Sequence, residues 1–333
     1  MDPRAVAGIA AAALIALPPV AASDEVRFSD AEVKAILAHG PWPLAIAADP
    51  TNRVSGKREA IELGERLFFD QRLSPTGRFS CGTCHVPERN WTDNLTRGAA
   101  IEEVDRNTPT LMNLRLARRF GWEGVTDALW KQSLRPMLNR RELGASARHV
   151  ADLMRKDEQL SCRYRKTFGA NPSPTDDQAV MDDVAKSLAA LVETFETPPT
   201  PFDRFRSALA RGEKITPWVY SDAAQRGARI FVGKGTCTTC HSGPNFSNGE
   251  LRDDGLGKFK VPTLRHLLLT APYGHDGRLG TLADVVRHYS DTAGGELKPL
   301  KLTAAEQSDL VVFLESISTF NNPWRPEDLG RCF

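Results

Sequence analysis

The chain has 333 residues, 41% of them hydrophobic and 26% charged, a globular composition long enough for two domains of ordinary size. Its formal net charge of +1 excludes a global basic field for nucleic acid and an acidic excess, so partners are not legible in charge.

The chain opens on an export signal. Arg4 and the α-amine make a weakly positive end, an apolar run follows from Ala5 to Leu17, and Val20-Ala21-Ala22 supplies small residues for cleavage after Ala22. That run is shorter than the ~20 apolar residues a spanning helix needs. Residues 1–22 therefore read as a removable signal peptide of a periplasmic protein with no membrane span, an uncleaved anchor being the alternative. Of the six cysteines, Cys162 and Cys332 stand outside any motif. They read either as a disulfide tying the C-terminus to the first half, as an oxidising compartment permits, or as two unrelated thiols.

Two similar stretches follow. The first contains Glu62-Leu63-Gly64-Glu65-Arg66-Leu67-Phe68, the second Gln225-Arg226-Gly227-Ala228-Arg229-Ile230-Phe231. Each has a glycine four residues before a phenylalanine, on one helical face with Leu67 or Ile230. Glycine costs a helix about 1 kcal/mol, so a close helix crossing is expected there. The units also close alike. Thr175-x-x-Gln178 opens a helix with Val180, Val184, Leu188, Leu191 and Phe195 on one face, and Thr303-x-x-Glu306 opens another with Leu310, Phe313, Leu314 and Ile317. Between them, the prolines of Thr197-Pro198-Pro199-Thr200-Pro201 mark a linker. No convincing alternating strand is present. The expected fold is mainly α, an internal duplication with units at 23–196 and 206–333 joined by a linker at 197–205.

Each unit carries one pentapeptide of the form CxxCH: Cys81-Gly82-Thr83-Cys84-His85 and Cys237-Thr238-Thr239-Cys240-His241. Two cysteines three apart can both add to the vinyl groups of one porphyrin, and the adjoining histidine then reaches the iron. A zinc site would want four converging ligands, and a redox CxxC needs no following histidine. Two covalent c-type haems are expected, held by Cys81, Cys84, Cys237 and Cys240 with His85 and His241 on the irons. No methionine lies in the second unit, so its iron's other ligand is sought among His266, His275, His288, Tyr273 and Tyr289. Between Val86 and Met112 there is no histidine, methionine or tyrosine, which leaves the first iron an open face.

The chain resembles the bacterial di-haem cytochrome c peroxidase and MauG family over nearly all of its mature length. The likeness rests on both haem motifs, on Arg106-Asn107-Thr108-Pro109-Thr110, on Val261-Pro262-Thr263-Leu264-Arg265, and on Leu269-Thr270-Ala271-Pro272-Tyr273-Gly274-His275-Asp276-Gly277-Arg278, followed by Thr281-Leu282 and Val285-Val286-Arg287-His288-Tyr289. It implies two cytochrome c-like haem domains, with Trp122 between the haems and Gln132, Pro136 and Glu142 over the open one. Cleaving peroxide requires moving a proton from the inner oxygen to the departing one, work a carboxyl can do. The resemblance also implies a calcium between the domains, held by the Asn107 side chain and the carbonyls of Thr270 and Pro272. It makes Tyr289 the axial ligand of the second haem, as in the MauG branch, where the peroxidase branch has methionine.

One departure concerns the substrate. MauG draws electrons through a surface tryptophan two residues before the second haem's first cysteine, and here that residue is Gly235. Any such route must start elsewhere, with Trp42, Trp91, Trp130, Trp218 and Trp324 as unranked possibilities. The function implied is an oxidase that uses hydrogen peroxide to oxidise a Trp or Tyr side chain of a partner protein. The alternatives are a peroxidase fed by a small cytochrome or cupredoxin, and a non-catalytic carrier.

Overall fold

The computed structural model describes residues 26–45, 47–292, 294–319, 324–326 and 329–333. The expected signal at 1–22 lies outside these. The fold is mainly helical, as expected. The first core gathers around α2 (Arg58–Phe68) and α7 (Asp177–Val192), with α4 (Leu129–Leu138), α5 (Ala147–Lys156) and α6 (Glu158–Phe168) packed about them. The second gathers around α9 (Asp222–Val232) and α11 (Ala304–Ser316), with α8 (Pro201–Ala210) and α10 (Leu282–Asp291) beside them. Two short helices remain, α1 (Asp30–Leu37) and α3 (Cys81–Cys84). A small antiparallel hairpin, β1 (Leu251–Asp253) with β2 (Lys258–Lys260), lies outside the sequence expectation of no strand. Among the described residues no helix is long and apolar enough to cross a membrane.

The same helix crossing is built twice. Helix α2 buries Ala60, Leu63, Gly64, Leu67 and Phe68, one stripe at the helical repeat, against α7. A Cβ on Gly64 would stand 2.2 Å from the carbonyl oxygen of Ser187. In the second unit a Cβ on Gly227 of α9 would stand 2.1 Å from the carbonyl of Asp309 in α11. Backbone is the obstacle at both places, so the helices must part to admit a methyl. Gly64→Ala and Gly227→Ala are each expected to destabilise by about 1–3 kcal/mol, read as a lower denaturation midpoint of the holoprotein. An unchanged midpoint would remove the crossing from the account.

Several boundaries differ from the sequence expectation. Thr303 caps α11 through a box with Glu306, as read, but α7 is capped by Asp176, whose side chain accepts from Ala179 N, rather than by Thr175. Pro201 starts a helix instead of interrupting the chain: it is the first residue of α8 behind the Thr200–Asp203 capping box. A helix's first turn has no use for the N–H that proline lacks. Residues 201–205 are thus helical, and Asp203 goes on to hold the buried Arg265 guanidinium through two contacts of 2.9 Å.

The chain ends also cross over. Helix α1 packs on α8 and α9, with Ile36 in the second core, although residues 23–196 were expected in the first unit. Trp324, from the far end, packs on the first core. A disulfide between Cys162 of α6 and Cys332 (Cα–Cα 6.0 Å, 170 residues apart) fastens that tail, helped by Arg163 Nη2 donating to the carbonyls of Leu329 and Gly330. Opening it with Cys162→Ala is expected to cost roughly 2–5 kcal/mol, measured as a fall in unfolding midpoint under oxidising conditions. An equal midpoint would make the bridge incidental.

Candidate haem-binding and catalytic site

Both CxxCH motifs are folded into a helical turn that puts the histidine under the same restraint. Around α3, Ser80 and Thr83 cap the turn and His85 N donates to Cys81 O at 2.9 Å. In the second motif His241 N donates to Cys237 O at 2.8 Å. Each ring is then oriented by its Nδ1: His85 meets the Trp91 carbonyl at 2.8 Å, and His241 the Phe246 carbonyl at 3.0 Å. A carbonyl can only accept, so Nδ1 carries the proton and Nε2 keeps the lone pair an iron needs.

Trp91 and Phe246 match in three ways. Both are fully buried at 0% exposure, both lie in the left-handed backbone region (φ 60° and 50°), and both turn a carbonyl back to a motif histidine. Large aromatics rarely adopt that conformation, so no propensity signal points to them in the sequence. The donor set suits two haems: neutral imidazoles, His85 lowered and His241 lowered to about 4 by burial, each one helical turn from a pair of thiols. Among the described residues no group of three or more His, Cys, Asp or Glu is placed to hold a metal ion.

The side chains expected over the first motif come from α4 and the turn after it. Burial pushes the Cys81 thiol up to about 12 and Cys84 to about 11, and the Glu142 carboxylate adds to both, so Glu142 lies within electrostatic reach of this motif. Burial also raises Glu142's own pKa, while Asn139 Nδ2 holds its Oε1 at 2.6 Å. On α4, Gln132 Oε1 accepts from Thr126 Oγ1 at 2.9 Å, which leaves its amide N–H groups to donate elsewhere. Pro136, one turn later, interrupts the helix from within.

Trp122 stands on the seam between the two units. Its Nε1 donates to Asn107 O at 2.8 Å, its carbonyl accepts from Lys260 N at 2.7 Å, and its ring meets His275 edge-on at 6.5 Å. The seam is stitched further by Asn107 N donating to His275 O at 3.0 Å and Asn90 Nδ2 donating to His266 O at 3.0 Å.

The candidates for the second haem's far side separate. Tyr273 spends its hydroxyl on Leu267 O at 2.9 Å, and His288 Nδ1 meets Thr292 Oγ1 at 2.9 Å. His275 stacks on Phe259 at 3.7 Å, with Asp254 3.2 Å from its Nε2, and His266 is buried with its backbone on the seam. Among the described residues both ring nitrogens of His266 and of His275 are buried without a hydrogen-bond partner, and Tyr289 lies on α10. Crowding by protein raises its pKa, with Asp254 next and Cys237 and Cys240 adding, so hydroxyl and thiols share one neighbourhood. The residue is partly exposed, and its ring meets His288 edge-on at 5.3 Å.

The residues that the resemblance gives to calcium lie on the seam near a second asparagine. Asn107 is buried, but its Nδ2 donates to Leu95 O at 2.7 Å. The side chain that reaches the carbonyls beside Thr270 and Pro272 is Asn94, 3.0 Å from Leu269 O and 2.7 Å from Ala271 O. Sequence reasoning passed over Asn94; an asparagine at positive φ (57°) leaves no periodic mark. Gly235 is closed to a tryptophan outright, since a Cβ there would stand 2.7 Å from Ile230 O and 3.2 Å from Cys237 Sγ.

The family described as di-haem cytochrome c peroxidase matches residues 58–211. The methylamine utilization protein MauG of Methylorubrum extorquens is 34% identical over 289 residues, 78% of each chain. Cytochrome-c peroxidase IdrP2 of Pseudomonas sp. (strain SCT) is 30% identical over 345 residues, 87% of each chain. A crystal structure of a MauG-like protein associated with microbial copper homeostasis superposes with a TM-score of 0.69 at 25% identity, covering 86% of this chain and 98% of that one. The chain belongs to the di-haem cytochrome c peroxidase family and is an oxidoreductase of the di-haem, peroxide-using kind.

Proposed function

We propose that the chain is an exported, periplasmic oxidase that uses hydrogen peroxide to oxidise a Trp or Tyr side chain of a partner protein. What supports this reading is a difference between the two motifs: the Glu142 carboxylate, held by Asn139 Nδ2 at 2.6 Å, adds its charge at Cys81 and Cys84, while the phenol of Tyr289 lies within electrostatic reach of Cys237 and Cys240. His85 and Cys81/Cys84 would hold one haem, His241 and Cys237/Cys240 the other. Haem iron, when bound, supplies the electrons that cleave the O–O bond.

The chain's own residues do the rest. The Glu142 carboxylate takes the proton of the inner peroxide oxygen and returns it to the outer one, which leaves as water. Asn139 Nδ2 fixes the carboxylate's orientation, and the Gln132 amide N–H holds the peroxide. Pro136 presents carbon rather than a ligand to the open face. Trp122, bonded to both units through Asn107 O and Lys260 N, couples them. Tyr289 would bind through its oxygen, the metal taking the place of the proton that the apolar setting otherwise retains. An oxygen ligand keeps iron oxidised and so favours storage of oxidising equivalents.

A calcium held on the seam by Asn107 with the carbonyls of Thr270 and Pro272 belongs to this proposal, Asn94 being the neighbouring amide that could join it. One observation favours the reading with a small cytochrome or cupredoxin as donor: Gly235 has no room for the tryptophan through which MauG takes electrons from a protein. Mixing the as-isolated oxidised protein with one equivalent of peroxide, without prior reduction, tests the proposal. Immediate bleaching of the haem absorption is expected; a spectrum that changes only after pre-reduction overturns it in favour of the peroxidase reading.

A further inference from the structure

We propose that Trp91 and Trp324 form an electron relay to the His85 side of the molecule, with Trp324 as the point where a donor's electrons enter. This rests on the peroxide chemistry proposed above and supplies the route that Gly235 closes at the other motif.

Three observations converge on the pair. Trp91 is joined to the motif itself, its carbonyl accepting from His85 Nδ1 at 2.8 Å, while its ring is wholly buried. The rings around it are Phe195, stacked at 3.7 Å, Phe68, edge-on at 5.6 Å, and Trp324, edge-on at 4.9 Å. Trp324 is only part-buried and reaches on to Phe69 at 5.6 Å, a side chain 39% exposed. An unbroken aromatic path therefore runs from beside His85 to the surface.

The second observation is how Trp324 comes to be there. It belongs to the tail beyond the second unit, yet it sits on the first core. The Cys162–Cys332 bridge, the Arg163 contacts to Leu329 and Gly330, and Cys332 N donating to Gln159 Oε1 at 2.7 Å hold that tail down. A covalent bond thus fixes one indole against another next to a haem motif.

The third is that the other tryptophans away from the seam do not extend this path. Trp42 stacks with the Arg265 guanidinium at 3.8 Å and Trp130 with the ammonium of Lys186 at 5.1 Å, and neither ring contacts another aromatic ring among the described residues. Trp218 is 98% exposed and makes no ring contact among the described residues.

The electrons balance. Peroxide with two electrons and two protons becomes two waters. Each electron that Trp91 yields towards His85 is replaced from Trp324, and Trp324 is restored by the donor, an oxidisable side chain of a partner protein. With no donor present, Trp324 itself makes up the deficit: an indole plus water becomes a hydroxyindole, releasing two electrons and two protons.

The experiment treats the holoenzyme with peroxide and no donor, follows peroxide consumption, and maps added oxygen on proteolytic peptides by mass spectrometry. Oxygen is expected on the Trp324 peptide ahead of the fully exposed Trp218, and Trp91→Phe is expected to lower that yield about tenfold or more while leaving Trp218 alone. Oxidation led by Trp218, or Trp324 oxidation indifferent to Trp91→Phe, overturns the relay. Absence of peroxide consumption sinks the proposed function instead, so the two failures are distinct. Should Trp91→Phe fail to fold, Trp324→Phe serves: the oxidised protein is expected to persist about tenfold longer or more, and an unchanged lifetime overturns the relay.

Discussion

Glu142→Gln is expected to slow the reaction with peroxide by about 10²–10⁴-fold with both haems still attached. The substitution is chosen to remove one thing. Glutamine has the same length, and its amide oxygen can still accept from Asn139 Nδ2, which holds Oε1 at 2.6 Å. What it lacks is a site that takes up and returns a proton. The wild-type pH profile carries the same information. Burial raises the Glu142 pKa, and the ionised carboxylate is the form that takes the proton from the inner oxygen. The rate should therefore fall as pH drops through a midpoint above the ordinary carboxylate value. In Glu142→Gln that acid limb should vanish along with most of the rate. Stopped-flow mixing across pH measures both, and wild-type kinetics in the variant would remove Glu142 from the mechanism.

Tyr289→Phe is expected to change the absorption of one haem only and to abolish sharing of the oxidising equivalents between the two. The ring should keep its place, because α10 is anchored by Leu282, Val286 and Ser290 rather than by the tyrosine hydroxyl. Haem content should be unchanged, since the cysteines and His241 are untouched. His288→Ala is the control: its ring is turned to Thr292 and should leave the spectrum as it was. A spectrum unaltered by Tyr289→Phe but altered by His288→Ala would hand the ligation to the histidine.

Much of this was legible in the chain because its signals are local. Two CxxCH pentapeptides, a glycine in each preceding helix and the Thr303 capping box need only a few neighbouring residues to be read. The glycines at 64 and 227 declared a close crossing, and the carbonyls of Ser187 and Asp309 are what they make room for. Trp122, Gln132, Pro136 and Glu142 entered only through the resemblance; Trp122 Nε1 donates to Asn107 O, and the Glu142 charge reaches Cys81 and Cys84.

Other features depend on which distant surfaces meet, and composition says nothing of that. Helix α1 joining the second core and Trp324 joining the first are pairings across most of the chain, favoured because each covers apolar surface that its sequence neighbours leave bare. Pro201 misled because proline, which breaks a helix from within, is favoured at a helix's first position. The carbonyl contacts of Trp91 and Phe246 to the motif histidines were not legible because they depend on a positive φ, a property of the backbone path rather than of the residue type.

The central claim is that one iron keeps a free position while its neighbour is closed by the phenol of Tyr289. Low-temperature electron paramagnetic resonance of the oxidised, as-isolated holoprotein tests it most directly. The account predicts one high-spin haem and one low-spin haem, with the low-spin signal alone changing in Tyr289→Phe. Two low-spin signals, both indifferent to peroxide, would contradict it and leave a carrier of electrons.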